Sequence, residues 1–256
     1  MATILMVPGL FGNKDVWSKV QNFFEKIKFK CFPITLPYRV NFAKIPNPKL
    51  GEIGAEDDIS FLLTQIAKIK ETLKPGELFI GMGYSRGAML VLKLQQIFAE
   101  RGEKLFDKIV LITPAPPKGI SALSWPAIKA YLGIRPLWKF WKKPVRREFA
   151  SMAAAVMEDW MPLQDKEELF GNFSWESGRV IFETLFSPPK IDPEKIDCPV
   201  LIVAGAYDLL IPLPVAKKIA DMFSADYREV KGTHFALKGS ARKRMCEIIL
   251  EWIYGI

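Results

Sequence analysis

Short apolar runs recur along this chain, and nearly every one is followed by a stretch whose apolar residues keep helical spacing. "TILMVPG" (Thr3 to Gly9) closes on Pro-Gly, as a buried strand does where it enters a loop. "KDVWSKVQNFFEKI" (Lys14 to Ile27) then places Val16, Val20, Phe23, Phe24 and Ile27 on one helical face. "FKCFPITLP" (Phe29 to Pro37) predicts a second strand. "AEDDISFLLTQIAKIKETL" (Ala55 to Leu73) opens on acids and ends on lysines, which suits both ends of a helix dipole. "LFIGMGYSRGAMLVLKLQQ" (Leu78 to Gln96) is strand and helix joined at a point. "FDKIVLITP" (Phe106 to Pro114), "CPVLIVAGAYD" (Cys198 to Asp208) and "ADYREVKG" (Ala225 to Gly232) supply the remaining strands. Helices are predicted at "PVAKKIADMF" (Pro214 to Phe223) and "ARKRMCEIILEWIYG" (Ala241 to Gly255). Strands without polar alternation must be covered on both faces, so the pattern predicts an α/β protein with a mostly parallel sheet between helices.

One interval breaks the rhythm. Between Pro114 and Lys195 no strand is predicted, and the segment holds Trp125, Trp138, Trp141, Trp160 and Trp175. A structureless loop of that length is improbable in a compact domain. The reading is a core of residues 1–113 and 196–256, with 114–195 as a mostly helical insertion above the sheet. The tryptophans are expected either to line a pocket or to form the insertion's own core.

The junction inside "LFIGMGYSRGAML" is the most informative point. Gly83-Tyr84-Ser85-Arg86-Gly87 fits G-x-S-x-G, a pattern that chance alone produces in roughly one chain in ten of this length. A strand before it and an amphipathic helix after it make coincidence much rarer. On a tight strand-to-helix turn the residues on either side of the serine come close together, which glycine permits. A serine hydroxyl needs a base to become a nucleophile. The chain has one histidine, His234, in "VKGTHFAL" after the last predicted strand. A lone histidine is ordinarily structural, but active sites of parallel sheets gather at the carboxyl ends of strands. A base needs an acid to fix its tautomer. Asp208 in "VLIVAGAYDLLIP" lies just past another strand; Asp226 is nearer in sequence to His234 but opens its strand at the opposite end.

With "GYSRGA", "GAYDLLIP" and "GTHFAL" in the order Ser85, Asp208, His234, nearly the whole chain resembles the α/β-hydrolase superfamily, in particular its lipase- and esterase-like members with a helical cap. The resemblance implies a trimmed sheet of about six strands and a Ser85–His234–Asp208 catalytic triad. It implies an oxyanion hole made by the backbone N–H groups of Arg86 and of Leu10 in "VPGLFG", where Pro8 replaces the family's usual histidine and Phe11 is a less favoured donor. The side chain of Arg86 is left with three readings: solvated, paired with the insertion, or holding a substrate carboxylate. The implied activity is hydrolysis of carboxylic esters through an acyl-enzyme, with a small-molecule ester as partner and no cofactor. A serine at the elbow disfavours the dehalogenases and epoxide hydrolases of this fold, which use aspartate. Two other classes stay open: a C–C bond hydrolase or lyase acting on a small anionic substrate, and a non-catalytic binding module.

The net charge of +8 is spread over the chain, without a nucleic-acid-binding motif beside its denser spots. "RPLWKFWKKPVRR" (Arg135 to Arg147) interleaves aromatics with cations as membrane-interface segments do, which leaves contact with a lipid surface open beside a plain solvated one. Cys31, Cys198 and Cys246 form no CxxC pair, and with one histidine no zinc site is expected. No signal peptide or membrane span is read, so the expected location is the cytoplasm. The oligomeric state is not legible.

Overall fold

The computed structural model describes residues 2–121 and 133–256. The chain begins with β1 (Ala2–Val7), α1 (Ser18–Lys26), β2 (Lys30–Pro33), α2 (Ala55–Lys70), β3 (Leu78–Tyr84), α3 (Arg86–Glu100) and β4 (Lys108–Ile112). It then leaves the sheet through β5 (Ile134–Arg135), β6 (Pro144–Arg147), α4 (Phe149–Val156), α5 (Leu163–Gly171), β7 (Glu176–Ser177) and α6 (Gly178–Phe186). It returns with β8 (Val200–Gly205), α7 (Leu213–Met222), β9 (Asp226–Val230) and α8 (Arg242–Tyr254).

Among the described residues the main sheet has six strands in the order β2-β1-β3-β4-β8-β9, and every neighbouring pair is parallel. The chain first steps outward from β1 to β2, then crosses back over β1 to β3. Strand order therefore reverses between β1 and β3, and a crevice opens beyond their carboxyl ends. Leu10 follows β1 and Ser85 follows β3, so both sides of that crevice carry predicted site residues.

The alternation of strand side chains divides the core into two layers. Ile4 and Met6 of β1 pack with Trp17, Phe24 and Ile249 on the α1/α8 face. Leu5 and Val7 pack with Leu62, Val91 and Ile219 on the face covered by α2, α3 and α7. Each such fully buried side chain contributes about 1.5–3 kcal/mol relative to exposure. Both faces are covered, which is why the strands read as unbroken apolar runs.

The interval between β4 and β8 departs from expectation. Among the described residues it holds three α-helices, but also a three-stranded antiparallel sheet in the order β5-β6-β7. These strands are two to four residues long, too short to print a period. The sequence of β6, "PVRR", hides its alternation further, because Arg147 is buried where an apolar residue would be expected. The predicted Trp125 lies outside the described residues. No helix among the described residues is long and apolar enough to cross a membrane.

Candidate active site

Ser85 is the single residue between β3 and α3, and it adopts φ 51°, ψ −119°. A non-glycine residue in such a region costs on the order of 1–3 kcal/mol and persists only when its surroundings hold it. Here its N–H donates to the Ile112 carbonyl at 2.9 Å, and its carbonyl accepts from Ala88 and Ala115, each at 3.1 Å. A Cβ on Gly83 would meet the Ala88 backbone at 2.5–2.6 Å, and one on Gly87 would collide with the Val7 and Pro8 carbonyl oxygens. The glycine spacing of the motif is therefore a steric requirement of this turn.

The turn after β8 and the loop after β9 deliver the other two groups. Asp208 Oδ1 accepts from the Leu210 and Ile211 N–H groups at 2.8 and 2.9 Å, which aims Oδ2 at the neighbouring loop. There His234 Nδ1 lies 2.7 Å from Asp208 Oδ2, and His234 Nε2 lies 2.9 Å from Ser85 Oγ. A carboxylate only accepts, so its contact with Nδ1 assigns the proton to that nitrogen and leaves the Nε2 lone pair facing the hydroxyl. Asp208 and His234 are both buried. Thr113, just past β4, donates its hydroxyl to the His234 carbonyl at 3.1 Å. Phe235 and Thr233 donate to the Val156 carbonyl at the end of α4. Glu158 accepts from the Ser240 N–H and hydroxyl, bracing the same loop. The Tyr84 ring packs 5.4 Å from the imidazole. Burial, reinforced by the negative charge of Asp208, drives the Tyr84 phenol well above its ordinary range, so it serves as a neutral wall. Asp226 starts β9 at the opposite end and accepts from Trp252 Nε1 at 2.7 Å.

Leu10 and Arg86 face the same cleft as Ser85 and His234. Among the described residues the Leu10 N–H has no partner, and the Arg86 N–H heads α3, where no helical carbonyl precedes it. The Phe11 N–H is already occupied: it donates to Glu176 Oε2 at 3.2 Å. Of the Leu10 and Phe11 N–H groups, only that of Leu10 is without an acceptor among the described residues.

Glu176 belongs to a buried ionic cluster that sequence reasoning missed. Arg39 reaches Glu176 Oε1 through Nε at 2.9 Å and grips Asp58 with Nη1 and Nη2 at 2.6 and 2.8 Å. Burial alone would lower the Arg39 pKa, but the Glu176 and Asp58 carboxylates outweigh it and hold it above the ordinary value. Arg86 completes the cluster with Nη2 at 2.9 Å from Asp58 Oδ2. That contact lacks hydrogen-bond alignment, and the Arg86 Nη1 and Nη2 groups donate to nothing among the described residues. The side chain of Arg86 is thus neither solvated nor paired with the β4–β8 segment; it meets α2. One signal was available: Asp58 lies on the apolar stripe of α2 with Leu62, Ile66 and Ile69, where a carboxylate needs a buried cation.

Two clefts meet at Ser85. The larger, about 130 Å³, runs past Arg86, Ile120, Thr184 and Leu185. The smaller, about 50 Å³, is walled by Tyr84, Arg147, Met152, Val156 and Phe173. No tryptophan among the described residues lines either one. Trp138, Trp141 and Trp160 are exposed and Trp175 packs against Phe42, so the described tryptophans wall neither cleft, whereas Phe173 of the same insertion does wall the smaller one. Burial pushes the thiols of Cys31, Cys198 and Cys246 up to about 12, and none lines either cleft. Among the described residues no group of three His, Cys, Asp or Glu side chains could hold a metal ion.

No family model and no curated protein matches the chain by sequence. Solved structures do match. Polyneuridine aldehyde esterase aligns over 98% of this chain and 99% of its own, with 17% identity and a TM-score of 0.73. A methylesterase from Arabidopsis aligns over 100% of both chains, with 15% identity and a TM-score of 0.74. A pyrethroid hydrolase from Sphingobium faniae aligns over 98% of this chain and 96% of its own, with 14% identity and a TM-score of 0.71. Likeness at this level of identity is a likeness of fold, and it extends from end to end of the chain.

Proposed function

With the α/β-hydrolase fold of this chain as the premise, we propose that the protein is a serine hydrolase that cleaves carboxylic esters. The observation that carries this reading is the unbroken chain of contacts from Asp208 through His234 to Ser85 Oγ, at 2.7 and 2.9 Å. His234 Nε2 takes the hydroxyl proton as Ser85 Oγ attacks the ester carbonyl. The carbonyl oxygen becomes an oxyanion beside the Leu10 and Arg86 N–H groups, each such donor being worth about 10²–10³ in rate. His234 then protonates the departing alcohol, and water admitted to the same site releases the acid by the reverse sequence. Asp208 holds the imidazole in the Nδ1–H tautomer and balances its charge when protonated. The two clefts meeting at Ser85 suit the acyl and alcohol halves of one substrate, and their mostly apolar walls favour uncharged acyl groups.

The names of the structural neighbours, two esterases and a pyrethroid hydrolase, support the same reaction class. A lyase or C–C hydrolase acting on a small anionic substrate is the second reading, since Arg86 and Arg147 line the two clefts and the Arg86 Nη1 and Nη2 groups donate to nothing among the described residues. The Asp58 carboxylate beside Arg86, which already balances its charge, favours the ester. A non-catalytic role has no use for a strained serine aligned with a buried imidazole and carboxylate. The elements between β4 and β8 act as the cap over the site.

The test is labelling with a fluorophosphonate probe. Wild type is expected to label and Ser85→Ala is not. Labelling that persists in Ser85→Ala, or a wild type that neither labels nor turns over p-nitrophenyl acyl esters, overturns the proposal.

A further inference from the structure

We infer that the outer face of α6 and the preceding aromatic loop dock this protein on an anionic lipid surface. Thirteen residues, Arg135 to Arg147, carry Arg135, Lys139, Lys142, Lys143, Arg146 and Arg147 and no carboxylate. Leu137, Trp138 and Trp141 from this stretch stand exposed, Trp138 at 75%. They are continuous with a second apolar element: the Trp141 and Phe182 rings lie 6.3 Å apart, and Phe182 and Phe186 lie 4.9 Å apart. Phe186 is 67% exposed. A soluble surface rarely leaves tryptophan and phenylalanine this bare in one connected strip.

The cations sit where a lipid headgroup layer would meet them. Lys139 Nζ lies 5.9 Å above the Trp138 ring, so the apolar and charged groups share one edge. Lys139, Lys142 and Lys143 form no ion pair among the described residues. Of the carboxylates nearby, Glu148 pairs with Arg135 and Glu183 pairs with Arg179, and Glu52, beside Trp141 and Lys142, is one negative charge against the three lysines and Arg146. The patch therefore presents net positive charge around an aromatic centre, which complements an anionic bilayer. A second copy is a poor occupant, because a two-fold interface would set this cationic edge against itself.

The position of the strip gives the docking a use. Thr184, on the opposite side of α6 from Phe182 and Phe186, and Leu185, on the flank between, line the cleft that contains Ser85. Seating α6 on the bilayer brings the cleft wall to the lipid boundary, where an amphiphilic ester would reach it without crossing water. That last statement rests on the ester-cleaving reading; the docking itself does not.

The experiment is co-sedimentation of the full chain with vesicles of phosphatidylcholine alone and of phosphatidylcholine with phosphatidylserine. Binding is expected only to the anionic vesicles, and it weakens as salt rises. Each lysine near such a surface raises affinity about fivefold, so Lys139→Gln, Lys142→Gln and Lys143→Gln together should weaken binding about a hundredfold. Brominated lipid should quench wild-type tryptophan fluorescence, and Trp138→Ala with Trp141→Ala should remove most of that quenching. Far-UV dichroism of both variants confirms folding, since all five side chains lie on the surface loop. No binding to anionic vesicles overturns the inference, as does binding unchanged in both variants. Lipid-free dimerisation that the tryptophan variant abolishes also overturns it, by assigning the strip to a self-interface. Turnover of a soluble ester should be unchanged in both variants, so this inference and the labelling test at Ser85 fail separately.

Discussion

Replacing Asp208 by Asn changes one atom, and the structure says which way the new amide must turn. Asp208 Oδ1 accepts two backbone N–H groups, from Leu210 and Ile211, at 2.8 and 2.9 Å. An amide nitrogen placed there would oppose donor to donor twice and leave two N–H groups unsatisfied. Each unsatisfied buried group costs about 1–3 kcal/mol, so the Asn oxygen takes that place and its NH₂ faces His234. The NH₂ only donates, so Nδ1 must accept and the ring proton moves to Nε2. That proton then points at Ser85 Oγ, and the base has no lone pair where the hydroxyl proton must go. The expected loss in kcat is about 10⁴-fold, which corresponds to about 5.4 kcal/mol of barrier at 1.36 kcal/mol per decade. The assay is steady-state hydrolysis of p-nitrophenyl butyrate across pH, with thermal unfolding followed alongside. Because both backbone contacts survive, the melting temperature should stay near wild type while turnover collapses. A variant that keeps more than about a tenth of wild-type kcat would refute the tautomer argument and the role given to Asp208.

Ser85→Ala and His234→Ala should each remove about 10⁴-fold or more of kcat, and the double variant should lose little beyond either one, because the two groups act as a unit. Additive losses on the same p-nitrophenyl ester would sink that description. Glu176→Gln leaves Arg39 and Arg86 facing Asp58 alone and puts an NH₂ against either Arg39 or the Phe11 N–H. Urea unfolding should report a loss of about 3–5 kcal/mol, as for other broken buried pairs. An unchanged midpoint would show that the cluster does not hold the site together. Burial pushes the Cys31, Cys198 and Cys246 thiols up to about 12, so at pH 8 Ellman's reagent should find almost no thiolate in the folded protein. All three should react once guanidinium unfolds the chain, and rapid reaction before unfolding would contradict the burial.

What the sequence made legible follows from range. The inner strands β1, β3, β4 and β8 are covered on both faces, so their own residues announce them, while the edge strands β2 and β9 are only partly buried and read less plainly. Ser85, Asp208 and His234 could be paired because each lies just past a strand end, and parallel strands bring their ends to one edge. The cluster of Arg39, Asp58, Arg86 and Glu176 was out of reach because its members come from four distant places, joined only by packing. Asp58 alone carried a local trace, as a carboxylate on an apolar stripe. The short strands between β4 and β8 left no period to read, and β6 hides a buried arginine where a strand's apolar residue would stand. The tryptophans left two readings open for a different reason. Aromatic density says that surface is buried by something, but not whether the partner is a substrate, the protein or a boundary outside it.

The Glu176 contacts also limit how this protein can admit a substrate. Glu176 sits on β7, while the groups it holds, Arg39 and the Phe11 N–H, belong to loops after β2 and β1. Swinging the β7 strand away as a hinged door would strand a guanidinium with half of its counter-charge and release the backbone next to Leu10. At about 3–5 kcal/mol for such a separation, the open form would be populated below about one part in a hundred. Traffic through the site is therefore restricted to movements that leave this latch shut, such as side-chain rotations around the mouth of the larger cleft.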